Sequence, residues 1–188
     1  RSPTTVETTH YTIASTASPV QTALVGDAAE RLHDAYTTLF GDSLEIDAGR
    51  PRLKLVLYKD QGEFKANNRS SPWAEASYLA PHCHAYYADG PNPYHWMVHE
   101  ATHQLARQVS GFRRNRWIDE GLASYFSSST ISDTGLQLGV PDVHAYPIWW
   151  LSRYRLTGNA AQHDAANQFV PLAELVTRQG EPDVDSSL

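Results

Sequence analysis

The sequence predicts an α+β fold: a small N-terminal sheet with packed helices, followed by a mainly helical C-terminal lobe. Three observations carry this. Short strand-like runs in the first half alternate with helical patterns. The string Gly90-Pro91-Asn92-Pro93 breaks the chain near its midpoint. Beyond it, helical periodicity dominates.

Taken in order, Tyr11-Thr12-Ile13 reads as a short strand, and Ser18-Pro19 opens a long helix whose Leu24, Ala28, Leu32, Ala35 and Leu39 form an apolar stripe before Gly41. Leu53 to Tyr58 is a strand, and a short helix follows around Phe64. Ala76 to Ala80 and His82 to Ala88 are two further strands, separated by Pro81. The second half is expected as helices over 93–109, 116–128, 144–156 and 171–179, with Pro171 and Gly180 bracketing the last. The chain is read as one domain over 1–188, with lobes of roughly 1–91 and 92–180 and a frayed tail at 181–188.

Composition narrows the function. The 188 residues carry a net charge of −6, which argues against a nucleic-acid partner because no basic stripe is available to neutralise phosphates. Arg113, Arg114 and Arg116 form a local exception, read as a solvated loop. No apolar run is long enough to span a bilayer. Cys83 is the single cysteine, so no intrachain disulfide can form. The start at Arg1 lacks the apolar stretch of a signal peptide.

The chemistry concentrates in two segments. His99-Glu100-Ala101-Thr102-His103 lies between Pro93 and Gly111 in a stretch free of both Gly and Pro from Tyr94 to Val109. Asn92 is expected as its N-cap, Pro93 as its first helical residue and Gly111 as its C-terminal cap. Residues four apart share a helix face, so both imidazoles can reach one metal ion, and Glu100 is left to hold a water beside it. A catalytic zinc usually takes three protein ligands, and Glu120 in Trp117-Ile118-Asp119-Glu120-Gly121-Leu122-Ala123 is the candidate third. Trp117, Ile118, Leu122, Tyr125 and Phe126 are expected to face the core, and Gly121 to admit a close backbone. Asp119 or Ser124 is placed to orient a ligand.

HEATHQ followed by WIDEGLASYF resembles the gluzincin branch of zinc metallopeptidases. The second segment is especially similar to the W-L-x-E-G-F-A stretch of the zinc aminopeptidases, and the short connection to the small bacterial peptidase-MA-like domains. The resemblance implies a zincin-like fold with the active-site cleft between the lobes. It also implies one Zn2+ per chain on His99, His103 and Glu120, Glu100 as general base, and a peptide or protein substrate. Gluzincins place an oxyanion-stabilising tyrosine or histidine on a later helix; Tyr146 is the choice here, with His144 and Tyr154 as alternatives. No G-x-M-E-N string occurs, which favours an endopeptidase over an aminopeptidase. Ala76 to Ala80 is the expected edge strand for an extended peptide. Many such relatives are exported, so an extracytoplasmic location is implied.

Two readings compete. A peptide- or glycan-binding module would keep the frame without turnover, and a zinc-stabilised structural domain would need a fourth ligand such as His95. His82-Cys83-His84 superficially suggests a metal cluster, but strand alternation points Cys83 away from both histidines.

Overall fold

The computed structural model describes residues 2–43, 50–111 and 116–151. It is an α+β fold. A five-stranded sheet comprises β1 (Thr4–Glu7), β2 (Tyr11–Ser15), β3 (Leu53–Tyr58), β4 (Ser77–Leu79) and β5 (His82–Tyr86), in the order β1-β2-β3-β5-β4. The central pairs β2–β3 and β3–β5 are parallel, whereas β1 and β4 are antiparallel edges. Helices α1 (Pro19–Phe40) and α2 (Gln61–Asn67) lie in the connections from β2 to β3 and from β3 towards β4. Then come α3 (His95–Gln108), α4 (Arg116–Ser127), a hairpin of β6 (Ser129–Ser132) and β7 (Gly135–Pro141), and α5 (Ile148–Leu151).

Alternation along the strands sets the core. Ile13, Leu53, Leu55, Leu57, Cys83 and Ala85 are buried with α1 and α3 in one cluster. The opposite face carries His82, His84 and Tyr58, where α2 sets Phe64 against Tyr58 and Tyr86 at 5.9 and 5.7 Å between ring centres. Cys83 is therefore a buried apolar residue turned away from its flanking histidines, as expected, and burial pushes its thiol well above the usual range.

Several local expectations change. In α1 the core residues are Val25, Ala28, Ala29, Leu32 and Tyr36, while Leu24 and Leu39 are exposed. The buried stripe is thus rotated from the predicted one, because Gly26 brings α1 close to β2. A Cβ on Gly26 would stand 3.2 Å from Thr8 and 3.3 Å from Ile13. In α4, Phe126 and Ala123 are fully buried but Tyr125 is exposed, and a Cβ on Gly121 would meet nothing within 4 Å. Among the described residues, therefore, no backbone makes the close approach expected at Gly121.

The motif helix starts two residues later than expected. Asn92 does not cap it: its Oδ1 accepts from Tyr94 N, and its Nδ2 donates to Asp142 at the end of β7. Gly111 follows the helix at φ 62°, a conformation that glycine adopts without strain. The β6–β7 hairpin and β1 are additions to the predicted elements. The expected helix over 171–179, the tail, Arg113, Arg114 and the part of 144–156 beyond Leu151 lie outside the described residues. No helix among the described residues is long and apolar enough to cross a membrane.

Candidate metal centre

α3 and α4 pack directly against each other, and their facing sides bring the two segments together. His99 and His103 lie one turn apart on α3, with ring centres 5.0 Å apart. From α4, Glu120 Oε2 approaches His99 Nε2 at 3.2 Å and His103 Nε2 at 3.5 Å. The ligand atoms of all three residues fall within 4.8 Å of one another, an arrangement that could hold a metal ion. Four-coordinate zinc with bonds of about 2.0–2.1 Å requires ligand atoms spaced by about 3.3 Å. The two imidazole–carboxylate distances bracket that value, so Glu120 stands at ligand spacing from both imidazoles.

Electrostatics reinforce the cluster. Burial opposes charge on Glu120, but hydrogen bonds and charge from His103 and His99 outweigh it and hold the carboxyl well below its ordinary range. His103 moves the opposite way. Burial disfavours its cation, yet Glu120, Glu100 and Asp119 together raise its pKa. The second nitrogen of His103, Nδ1, sits 3.2 Å from Asp119 Oδ2. Asp119 rather than Ser124 is thus the neighbour that reaches a candidate ligand, fixing the ring so that Nε2 faces Glu120.

Glu100 is half-buried on α3, and its charge adds to the rise of both the Cys83 thiol and the His103 imidazole. His95 stays outside the ligand cluster. Its Nδ1 bonds Asn92 O at 3.0 Å, and its ring lies 4.4 Å from that of Trp96. Tyr146 stacks on Trp96 with ring centres 5.4 Å apart, one turn before His99. His144 is exposed in the turn headed by Asp142. Tyr154 lies outside the described residues.

Sequence reasoning passed over two residues of the motif helix that flank the cluster. Gln104 is fully buried, and its Nε2 donates to Lys54 O and Pro81 O, both at 2.9 Å. Those carbonyls lie at the start of β3 and between β4 and β5, so this one amide ties α3 to the sheet beside His103. Trp96 is the second. Its place three residues before His99 and four before Glu100 was readable as the same helix face.

Together these features make an α+β domain whose two packed helices present a two-histidine, one-carboxylate cluster. A family model described as a protein of unknown function (DUF1570) matches residues 95–176, a span that takes in α3, α4, the β6–β7 hairpin and α5 but not the N-terminal sheet. No curated protein matches the chain.

Proposed function

We propose that the protein is a zinc-dependent peptidase of the gluzincin type, with a zincin-like fold, hydrolysing peptide or protein substrates as an endopeptidase. The observation that carries this reading is the spacing of His99, His103 and Glu120, whose imidazole–carboxylate distances of 3.2 and 3.5 Å suit a tetrahedral ion. Zinc held there would supply Lewis acidity, polarising a carbonyl and lowering the pKa of a water.

The remaining chemistry belongs to the chain. Glu100, beside the first ligand, takes the proton from the attacking water and passes it to the leaving amine nitrogen. The Tyr146 hydroxyl donates to the oxyanion that develops on the substrate carbonyl. Strand β4, an edge of the sheet among the described residues, would pair with an extended peptide, main chain to main chain. In a zincin-like fold that peptide would lie between the sheet and the helical lobe. The gluzincin resemblance also favours an extracytoplasmic location.

The test is a peptide-library digest by zinc-loaded wild type and Glu100→Gln, each with and without chelator. Cleavage by the wild type that chelator abolishes and zinc restores, with turnover lost in a Glu100→Gln protein that keeps its metal, is the expected result. Cleavage that persists in chelator, or equal rates in both proteins, contradicts the proposal.

A further inference from the structure

Helix α3 carries two stripes. Met97, Val98, Ala101 and Leu105 are each no more than 1 % exposed and fill the core, whereas Trp96, His99 and Glu100 are only half-buried. At about 100° per residue, Trp96, His99, Glu100 and His103 fall within an arc of about 100°. Trp96 therefore stands one turn N-terminal to the ligand cluster, on the face that bears it. Trp96 packs against the edge of the core cluster with one part of its side chain and, being only half-buried, leaves another part open on the ligand-bearing face.

Its contacts form a wall. The Tyr146 ring stacks on Trp96 at 5.4 Å with 27° between planes, and Trp149 continues the series 6.1 Å beyond Tyr146. The stack is anchored at its base. Asn92, 92 residues into the chain and just before α3, is buried and donates its Nδ2 to Asp142 Oδ2 at 2.7 Å. Asp142 in turn accepts from His144 N at 2.8 Å and, through its own carbonyl, from Ala145 N at 3.1 Å. That turn delivers Tyr146 to Trp96, so two segments distant in sequence are bonded together immediately beside the rings.

We propose that the Trp96–Tyr146 wall determines specificity, receiving an aromatic substrate side chain next to the bond held at the His99–His103–Glu120 centre. This rests on the reading of that centre as a metal-dependent peptidase site. An aliphatic side chain gains only buried area against such a wall. An aromatic one adds offset-stacked or edge-to-face contacts, which amount to about a tenfold difference in affinity.

Calorimetric titration of the zinc-loaded protein with three hydroxamates separates the wall from the metal centre. Acetohydroxamate carries the metal-binding group alone; the other two add a benzyl or an isobutyl group. The wild type is expected to bind the benzyl compound about tenfold more tightly than the isobutyl one. Trp96→Leu should abolish that preference and Trp96→Phe retain part of it, with zinc content and acetohydroxamate affinity unchanged in both as evidence of an intact fold. Equal affinities for the two larger compounds, or a preference that survives Trp96→Leu, overturn the wall while acetohydroxamate binding leaves the metal centre standing. No acetohydroxamate binding by the wild type removes the centre and the wall together.

Discussion

Asp119 Oδ2 lies 3.2 Å from His103 Nδ1, so the residue immediately before Glu120 grips the ring whose other nitrogen faces that glutamate. One turn of α4 thereby supplies both a candidate ligand and the group that orients a second one. Asp119→Asn is expected to weaken zinc binding by about ten- to a hundredfold, read by competition against a chromophoric chelator, with the circular dichroism spectrum unchanged. Unaltered affinity would reduce the Asp119–His103 contact to a bystander.

Tyr146 has its ring against Trp96 and, among the described residues, no hydrogen bond from its hydroxyl. Tyr146→Phe keeps the stacked ring and deletes only the donor. Turnover should fall by about a hundred- to a thousandfold at constant zinc content. An unchanged rate would move the oxyanion role to His144 or Tyr154.

Gln104 is the buried tie between the motif helix and the sheet, with Gln108 adding bonds to Pro81 O and the Tyr78 hydroxyl nearer the helix end. Gln104→Leu preserves approximate volume but leaves the carbonyls of Lys54 and Pro81 without that donor. A hydrogen bond contributes about 0.5–1.5 kcal/mol net, so urea denaturation should register a loss of about 1–3 kcal/mol for the two. A loss below about 0.5 kcal/mol would mean that water or another donor replaces the amide.

Glu30 governs part of the acid response. Burial opposes its charge, but donors from Thr8 and from the His10 backbone and ring outweigh it and lower its pKa from 4.5. The unfolded chain therefore takes up this proton at higher pH than the folded one. The stabilisation is complete above about pH 5 and is lost as pH falls through and below about 4.5. Thermal melts of Glu30→Gln should show a weaker dependence on pH in that range than the wild type. Parallel curves would show that the β1–β2 turn does not depend on the carboxylate.

What was legible in the sequence follows the strength of each local pattern. Leu53–Tyr58 alternates cleanly between buried and open positions, and its predicted bounds match β3. The HExxH spacing and the apolar periodicity around Glu120 placed α3 and α4 well enough to bring His99, His103 and Glu120 together. Strand β1 left no such signal, because all four of its residues are exposed at a sheet edge. The β6–β7 hairpin was equally silent: Ser129–Ser132 has Ile131 as its one apolar residue, and Gly139, at φ 78°, lies within β7. Asn92 looked like a cap from its neighbours in the chain. Its true partner, Asp142, is fifty residues away, and no local rule reports a bond of that kind.

The most direct test of the central claim is the metal content of purified wild type and Glu120→Ala after zinc loading and desalting, by elemental analysis. One zinc per wild-type chain, lost in the variant, is the predicted result. A wild type that retains no zinc, or a Glu120→Ala protein that retains as much as the wild type, would contradict the assignment of His99, His103 and Glu120 as one metal centre.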